Sequence, residues 1–596
     1  MSKEGLFASI DIVVDPADQG GVILSNRIAL PDYSGSLTAR LAQWREACPD
    51  RIFLSEIPEG LFGENNRIFY SYARIDAMVT AMARHFLDQG IGRDNPPMII
   101  ANNSVAHAVA MLGAMRAGLA AAIVPPSAVD KAAQPFAKFD KMLAAIRPGV
   151  ILAENPALCT SAIKQLGASK ITIEHLSLPS VGDGASRDDF PELTADSIGK
   201  FLFTSGSTGS PKAVPQSQRM MVSNMQAYGE LWLFLKHTPP LMVDWLPWSH
   251  VFGGNCCFNL ALYFGGTVHI DKGNPSPKGM QHSIAAIAAN KLNMYFNVPM
   301  GYEALARTLR ERDDLAAHFF ADLHFLFNAG AALPASTRAQ LETLSARWTS
   351  NSPPIIGGWG ATETAPTSTA IYFDNADAGN LGLPIPGTEI KMVPDGDGFE
   401  LRVRGPNVMP GYWRDEKSTN EAFDEDGFFR IGDRGNFAEP DRPGSGIIFD
   451  GRLAENFKLL SGTWVNVGAL RLALIEKGKP LIQDVVLAGE GRDKIAALIF
   501  LSRPGCSAYL HSQSNDAGEG DEMATHPDVR AAIEALLREH NALNPGSSRR
   551  IAFFRLQSEE PIISANEITE KGYINQRAVL KRRSAEVEAA YAGKPL

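Results

Sequence analysis

The sequence has few cysteines, and none of them is spaced as C-x-x-C. Five cysteines occur in 596 residues, and an odd number without paired spacing argues against a disulfide framework. The first residues, MSKEGLFASIDIVVD, lack the apolar core and the small-residue cleavage site of a secretory signal. These two absences predict a reducing, cytoplasmic setting.

The sequence also lacks an excess of basic residues and an uninterrupted apolar run. The net charge of −10 gives no electrostatic footprint for nucleic acid. The most apolar stretch, residues 108–124, contains Arg116 and Gly118 and is followed by two prolines, which indicates a buried helix and strand. We therefore expect no nucleic-acid partner, no transmembrane segment and a small molecule as substrate.

What is present is the composition of a globular protein with more than one domain, at 45% hydrophobic and 20% charged residues. From residue 97, short β-branched runs alternate with Ala-rich helical stretches, which predicts a layered α/β body with a parallel sheet. Strands are predicted at 97–100, 119–126, 200–204, 241–247, 266–270, 293–299, 323–330 and 354–360.

The pattern changes twice towards the C-terminus. Residues 382–413 lack helical periodicity and hold two strand candidates around a PDGDG turn, which predicts a small β subdomain. A different α/β arrangement follows, so we predict a large N-terminal domain over residues 1–451 and a smaller, mobile α+β domain over residues 452–596. The Ser/Gly/Asp-rich stretch 506–521 predicts an exposed loop.

The strongest motif is TSGSTGSPK at residues 204–212, directly after a predicted strand. Its glycines allow backbone N–H groups to approach phosphate, its hydroxyls add donors, and its lysine balances charge. It is not a Walker A loop, because Pro211 stands where that motif needs glycine. An ordinary Gly/Ser turn is the alternative. The candidate phosphate residues are Thr204, Ser205, Gly206, Ser207, Thr208, Gly209 and Lys212.

This nonapeptide resembles the phosphate loop of the adenylate-forming superfamily, which includes acyl- and aryl-CoA synthetases, luciferases and peptide-synthetase adenylation domains. A second stretch, GWGATETAP at residues 358–366, resembles the next element of that family. The resemblance implies that Trp359 and Gly360 lie near adenine, that Thr362 contacts the α-phosphate and that Glu363 holds Mg²⁺. One carboxylate together with phosphate oxygens is a ligand set that Mg²⁺ prefers.

Two further stretches resemble the family elements that contact the ribose and form the hinge. In DGFFRIGDRG, Asp433 is the implied acceptor for the ribose hydroxyls. In DGRLAENFKLLSGTWVNVG, Arg452 is implied to contact the nucleotide, and Lys458 with the Ser461–Gly462 turn is implied to lie near the path of coenzyme A. Ala454 stands where the family usually has Asp or Lys, so the position of the hinge is left open.

The C-terminal stretch NEITEKGYINQRAVL resembles the element that carries the catalytic lysine of the family. The family order Gly-Lys is reversed here to Lys571–Gly572, and Lys571 is our choice, with Lys458 and Lys581 as competitors. Its implied role is to stabilise the charge that develops between the α-phosphate and the acyl carboxylate.

The acyl pocket is implied by WLPWSHVFGGN and by NAGAALP, with the candidate residues His250, Phe252, Asn255, Asn328 and Gly330. Residues 248–260 hold no carboxylate that could pair with the ammonium of an amino acid. Trp248, Phe252, Phe258 and Trp359 could flank a planar ring, and Asn255 and Asn259 could bind phenolic oxygens.

Residues 244–255, 451–471 and 567–580 closely resemble the corresponding stretches of bacterial feruloyl-CoA synthetases. The resemblance implies an ATP-dependent hydroxycinnamate:CoA ligase that forms an acyl-adenylate and then an acyl-CoA, with ATP, Mg²⁺ and coenzyme A. A fatty acyl-CoA synthetase for medium or long chains is the first alternative, and a nucleotide-binding protein without catalysis is the second. The sequence does not predict the oligomeric state.

Overall fold

The computed structural model describes residues 5–33, 35–130, 133–167, 171–181, 190–204, 210–375, 379–396, 398–512, 523–562, 567 and 574–596. The chain divides into two compact units. The first comprises residues 1–393, 401–431 and 437–448, and the second comprises residues 394–400, 432–436 and 449–596. The boundary between residues 451 and 452 stays a prediction.

Strands and helices alternate through the described part of the first unit. Its strands are β1 Ile12–Pro16, β2 Val22–Asn26, β3 Ile52–Glu56, β4 Ile68–Ser71, β5 Met98–Ile100, β6 Ala121–Val124, β7 Val150–Ala153, β8 Thr172–His175, β9 Ile198–Thr204, β10 Lys212–Ser217, β11 Leu241–Asp244, β12 Thr267–Ile270, β13 Met294–Asn297, β14 Phe325–Asn328, β15 Ile355–Gly360, β16 Thr367–Ala370 and β17 Leu383–Pro384. Its helices are α1 Leu37–Ala47, α2 Tyr72–Asp88, α3 Val105–Arg116, α4 Ala137–Ile146, α5 Pro156–Leu166, α6 Gln218–Leu231, α7 Phe258–Tyr263, α8 Pro277–Ala289, α9 Pro299–Glu311, α10 Asp313–Phe320, α11 Ala335–Trp348 and α12 Glu416–Ala422. Four further strands contain residues of both units: β18 Glu389–Asp395, β19 Gly398–Arg404, β20 Phe429–Phe437 and β21 Ile447–Arg452.

The sheet that leads to the phosphate motif has the strand order β10-β9-β6-β5-β7-β8. It is parallel from β9 to β8, and its inner strands β5, β6 and β7 are buried along their whole length, which explains their continuous apolar sequence. Strand β10 runs antiparallel to β9, with Lys212 opposite Thr204. The phosphate motif therefore joins two strands of a hairpin, while its residues 205–209 lie outside the described residues.

Two other sheets supply the remaining strand ends. Strands β11, β12 and β3 are parallel and β4 closes that sheet in the antiparallel sense. Strands β13, β14 and β15 are parallel, and β16 and β17 continue antiparallel. Three of the helices start at a serine cap: the side chains of Ser71, Ser104 and Ser217 accept hydrogen bonds from the first turns of α2, α3 and α6.

These observations confirm the predicted mixed α/β class, and each of the eight strands predicted between residues 97 and 360 is present. The apolar stretch 108–124 forms the end of α3 and β6, as expected. Within the described residues, no helix combines the length and the apolar character that a bilayer span requires.

The second unit has a hydrophobic core of its own. Its strands are β22 Phe457–Lys458, β23 Trp464–Val465, β24 Ile482–Ala488, β25 Ile495–Leu501 and β26 Ile551–Gln557. Its helices are α13 Val467–Gly478, α14 Arg503–Ser512, α15 Pro527–Leu543, α16 Gln576–Arg582 and α17 Ser584–Tyr591. One face of the β24-β25-β26 sheet buries Val485 and Ile499 with residues of α13 and α15, and the other face buries Phe500 with residues of α16 and α17.

The prediction of a loop over residues 506–521 is wrong for its first part. Residues up to Ser512 belong to α14, where Cys506 and Leu510 are buried. These two apolar residues lie four positions apart and so share one face of the helix, but the polar residues around them dominate the composition. Residues 513–522 lie outside the described residues.

Candidate nucleotide and acyl sites

Glu363 is a buried carboxylate surrounded by hydroxyl groups. It lies in the short 3₁₀ turn Thr362–Thr364 after β15 and is 8% exposed. Its Oε1 accepts hydrogen bonds from the Tyr412 hydroxyl at 2.9 Å and from Thr204 Oγ1 at 3.4 Å. The structure thus joins two predicted nucleotide residues, Thr204 and Glu363, that lie 159 positions apart in the sequence.

The surroundings of Glu363 fit a magnesium ion that is held mainly by phosphate. In the part of the chain that the structure describes, no group of three or more His, Cys, Asp or Glu side chains could enclose a metal ion. Mg²⁺ commonly binds proteins through one or two carboxylates together with substrate phosphates. Glu363 would supply such a carboxylate.

Tyr412 is a site residue that the sequence analysis missed. Its ring lies 4.5 Å from the ammonium of Lys212, so it contacts both a predicted phosphate lysine and Glu363. Burial, and next the neighbouring Glu363 carboxylate, raises the pKa of Tyr412, which keeps its hydroxyl protonated and able to donate. The signal in the sequence is the stretch PGYW at residues 410–413, in which two aromatic residues follow a glycine. A Cβ added at Gly411 would lie 2.5 Å from the Thr419 side chain, so the glycine allows close packing there.

Trp359 and Gly360 end β15 next to this group. Trp359 is 8% exposed and pairs with Thr369 of β16. A Cβ at Gly360 would lie 1.9 Å from the carbonyl oxygen of Pro366, so only glycine fits at this point. The Trp-Gly sequence therefore has a packing reason beside its predicted role near adenine.

A buried glutamine connects Thr362 to the predicted acyl residues. Gln216 of β10 donates from Nε2 to the carbonyl oxygen of Thr362 at 2.9 Å and accepts at Oε1 from Asn255 Nδ2 at 2.7 Å. Both Gln216 and Asn255 are fully buried. No sequence motif pointed to Gln216.

Of the other predicted acyl residues, the structure brings Phe252 against the strands β13 and β14. Its ring centroid lies 6.3 Å from that of Phe296 and 5.9 Å from that of Phe327. The next residue of β14 is Asn328, and Gly330 follows with φ of 91°. His250 is half-buried, and its Nδ1 accepts the backbone N–H of Phe252 at 3.4 Å.

Trp248 and Phe258 do not take the place beside a ligand that was expected for them. Their ring centroids lie 4.7 Å apart, Trp248 also contacts His107, and both are buried in the main hydrophobic core. Phe252 is 9% exposed and Trp359 is 8% exposed, so these two predicted aromatic residues keep some accessible surface. Trp248 is 1% exposed and Phe258 is 0% exposed, so both rings serve to pack the core.

Several amide groups in this region have no hydrogen-bond partner among the described residues. They are Asn255 Oδ1, both polar side-chain atoms of Asn259, and Asn328 Oδ1. A buried amide without a partner costs about 1–3 kcal/mol. These groups therefore favour a ligand, or a water beside it, that brings its own donors and acceptors.

The second unit carries the predicted ribose and hinge residues. Asp433 is mostly buried and lies 3.7 Å from Nε of Arg452, whose side chain is 60% exposed. Strands β22 and β23 form a hairpin in which Lys458 pairs with Trp464, and its ammonium lies 5.1 Å from the Trp464 ring. Ser461 and Gly462 form the turn, and the φ of 80° at Gly462 requires a glycine-like conformation.

Ala454 lies in a turn just before this hairpin, and its carbonyl oxygen accepts a hydrogen bond from Nε of Arg577 at 2.9 Å. The position that usually carries Asp or Lys in the family thus makes a backbone contact here, and the position of the hinge stays open. Lys571, the predicted catalytic lysine, lies outside the described residues.

Comparison with known proteins places this geometry in a family. A family model described as AMP-binding enzyme matches residues 41–413. This range includes the phosphate motif and the Glu363 group, by which we mean Glu363, Thr204, Tyr412 and Lys212. The chain belongs to the AMP-binding enzyme family. This AMP-binding enzyme is 30% identical over 238 residues to a long-chain-fatty-acid–CoA ligase of Mycobacterium bovis, an alignment that covers 40% of this chain and 38% of the relative.

A second relative, the long-chain-fatty-acid–CoA ligase of Salmonella typhimurium, is 29% identical over 270 residues, which cover 41% of this chain and 45% of the relative. The chain thus aligns with less than half the length of these two curated relatives. Among solved structures, ATP-bound MatB from Rhodopseudomonas palustris matches with a TM-score of 0.69 and 19% identity over 93% of this chain and 100% of that chain. An anthranilate CoA ligase in complex with anthranoyl-AMP matches with a TM-score of 0.70 and 18% identity over 94% and 99%. These likenesses show that this AMP-binding enzyme has the fold of those proteins.

Proposed function

We propose that this AMP-binding enzyme is an ATP-dependent acid:CoA ligase. The observation that carries the proposal is the Glu363 group, in which one buried carboxylate contacts Thr204 at the end of the phosphate strand and Tyr412, whose ring meets Lys212. A negatively charged nucleotide with its magnesium ion matches a single carboxylate set beside hydroxyl donors and an ammonium.

In the first step, a carboxylate oxygen of the acid attacks the α-phosphorus of ATP, and the bond from that phosphorus to pyrophosphate breaks. In the second step, the sulfur of coenzyme A attacks the acyl carbon of the adenylate, AMP leaves with the phosphate oxygen, and the thiol proton passes to solvent. No protein nucleophile is needed. Bound Mg²⁺ would neutralise phosphate charge beside Glu363.

The remaining roles follow from the predicted residues. Lys212 and Thr362 would hold the phosphates, the residues 205–209 would cradle them, and Asp433 with Arg452 would bind the ribose and nucleotide. Lys571, from the proposed domain 452–596, would stabilise charge during adenylate formation. Lys458, Ser461 and Gly462 would border the path of coenzyme A.

For the acid, we propose a hydroxycinnamate such as ferulate. The amide atoms of Asn255, Asn259 and Asn328 that have no partner among the described residues support this choice, because an alkyl chain would offer them none whereas ring hydroxyl and methoxyl oxygens would. The Phe252, Phe296 and Phe327 rings provide the apolar surface that a planar aryl group needs.

A long-chain fatty acid is the second candidate. It is favoured by the curated relatives, because both that were aligned above are named long-chain-fatty-acid–CoA ligases. The nucleotide residues proposed here would serve either acid equally, so the two candidates differ only in the acyl pocket.

Glu363→Gln tests the ligase proposal. The amide keeps the size of the side chain and removes the charge that faces the metal and phosphates, so acid-dependent AMP formation should fall about 100-fold or more. The measurement is the rate of AMP and acyl-CoA release with ATP, Mg²⁺, coenzyme A and ferulate. Glu389→Gln, which changes a partly exposed carboxylate paired with Arg404, is the matched control and should retain the wild-type rate. Equal rates for Glu363→Gln and wild type would contradict the proposed role of Glu363.

A further inference from the structure

Lys200 is a fully buried lysine without a carboxylate partner among the described residues. It lies on β9, four residues before Thr204, and is 0% exposed. Its ammonium donates to the carbonyl oxygen of Gly254 at 2.8 Å and lies 3.8 Å from the sulfur of Met111. Burial lowers the pKa of Lys200 to about 7. Burying an amino group costs folding free energy unless it is hydrogen-bonded, so the bond to the Gly254 carbonyl is the contact that offsets this cost.

The Gly254 carbonyl accepts this bond at an irregular point of the helix. Residues Phe252–Cys257 form a π-helical turn, in which the N–H of Phe258 bonds to the carbonyl of Gly253, five residues back. Gly254 therefore does not receive the Phe258 N–H that an α-helix would give its carbonyl. Lys200 supplies a donor at that position.

The turn is also pressed against the loop before it. A Cβ at Gly253 would lie 2.2 Å from the carbonyl oxygen of Leu246, and a Cβ at Gly254 would lie 2.4 Å from that of Trp248. The same loop is tied to Asn103, which accepts from the Trp248 N–H at 2.9 Å and donates to the Leu246 carbonyl at 2.8 Å. The turn thus has one side fixed by backbone packing and the other fixed by Lys200.

This turn carries Phe252 and Asn255, two residues of the proposed acyl site. Phe252 faces the rings of β13 and β14, and Asn255 bonds to Gln216, which in turn bonds to the Thr362 carbonyl. A shift of one residue in the helix rotates every side chain by about 100°. Loss of the π-helical register would therefore move Phe252 and Asn255 together.

We propose that Lys200 is a positioning residue for the acyl site. Lys200 holds the π-helical turn 252–257 in the register that presents Phe252 and Asn255 to the acid. The inference rests on the proposed ligase function. Lys200 thus lies on β9, the strand that leads to the phosphate motif, and would act on the acyl pocket through a backbone carbonyl. Lys200 is proposed to act through the Gly254 carbonyl, and no direct contact with the acid or the nucleotide is part of the proposal.

The test compares Lys200→Met with wild type by steady-state kinetics. Methionine keeps the length and apolar stem and removes the donor, so we expect the KM for ferulate to rise at least about tenfold while the KM for ATP changes less than about twofold. Phe201→Leu is the control, because Phe201 follows Lys200 on β9, packs against Trp413 and has no contact with the turn among the described residues. It should lower the melting temperature and leave both KM values unchanged.

Lys200→Gln, which retains a neutral donor, provides the second variant and should give a KM for ferulate between those of wild type and Lys200→Met. The wild type and the three variants are also assayed for thermal unfolding, so that a general loss of structure is seen directly. An unchanged KM for ferulate in Lys200→Met, or equal rises in the two KM values, would overturn the inference and leave the ligase proposal intact. If wild type forms no AMP with any acid, the ligase proposal itself fails.

Discussion

At the scale of single residues, Tyr412 tests how the candidate nucleotide site is assembled. Tyr412→Phe removes the hydroxyl that donates to Glu363 and keeps the ring beneath Lys212. Hydrogen bonds to charged groups contribute about 1.5–3 kcal/mol, so kcat/KM for ATP should fall roughly tenfold or more. Steady-state rates at varied MgATP measure the effect.

Tyr372→Phe is the matched control for this experiment. The Tyr372 hydroxyl is also buried and accepts a hydrogen bond from Asn26, away from Glu363. The control should leave kcat/KM for ATP at the wild-type value. If Tyr412→Phe does the same, the hydroxyl has no part in nucleotide binding.

Short motifs in the sequence supply candidate residues, whereas contacts between distant segments are not visible in the sequence. Thr204, Thr362 and Glu363 were named from local motifs, and the structure brings Thr204 and Glu363 together. Tyr412 and Gln216 were missed because their partners lie 49 and 146 positions away in the sequence. A single sequence does not show which residues, distant along the chain, lie close together in the folded protein.

At the scale of elements, Glu567 anchors the stretch from which the catalytic lysine was predicted. Its carboxylate accepts hydrogen bonds from Arg583 at 2.8 and 2.9 Å, from Arg582 at 3.0 Å and from the Ile562 N–H at 2.9 Å. Its backbone carbonyl accepts from the Asn575 N–H at 2.8 Å. Glu567 thus ties the described residues on both sides of the segments 563–566 and 568–573 to α16.

Burial raises the pKa of Glu567, but the hydrogen bonds from Arg583 and Ile562 outweigh it and lower the pKa to about 2. A depressed carboxyl pKa means that its stabilisation is full above the unfolded value, about 4.3, and is lost as the pH falls towards 2. Glu567→Gln should therefore lower the free energy of unfolding by about 3 kcal/mol at pH 7, because it leaves Arg583 buried without a charge partner.

Urea unfolding of wild type and Glu567→Gln at pH 7, 4 and 3 checks this expectation. The difference between the two proteins should be largest at pH 7 and should shrink at pH 3. Glu586→Gln, whose partly exposed carboxylate pairs with Arg555, serves as the control and should differ little from wild type. A difference that stays constant with pH would contradict the account of Glu567.

Element-level prediction depended on how clearly the pattern repeats. Parallel strands such as β6 and β13 were found from their continuous apolar runs. Helix α14 was mistaken for a loop because its buried face consists of few apolar residues within a polar stretch. The π-helical turn was not expected either, since its register depends on the buried contacts of Gly253, Gly254 and Lys200 rather than on local pattern.

At the scale of the whole molecule, the sequence predicted the α/β class but only a single boundary along the chain. The structure assigns residues 394–400 and 432–436 to the second unit although they lie within the sequence of the first. A boundary drawn at one position cannot represent such returning segments. The antiparallel strand β10 was also missed. It pairs with β9 through a hairpin, and composition does not reveal the direction of that pairing.

For the whole molecule, we propose that this AMP-binding enzyme joins an acid with oxygen substituents on its ring to coenzyme A. The most direct test measures AMP and thioester formation for ferulate, p-coumarate, benzoate, octanoate and palmitate, in wild type and in Asn259→Leu. We predict that ferulate and p-coumarate give the highest kcat/KM in wild type. Leucine keeps the branching of the side chain and removes the Asn259 amide, which has no partner among the described residues, so the preference for ferulate over octanoate should fall about tenfold or more in the variant. Turnover led by octanoate or palmitate in wild type would contradict the hydroxycinnamate assignment, and no AMP from any of the five acids would contradict the ligase.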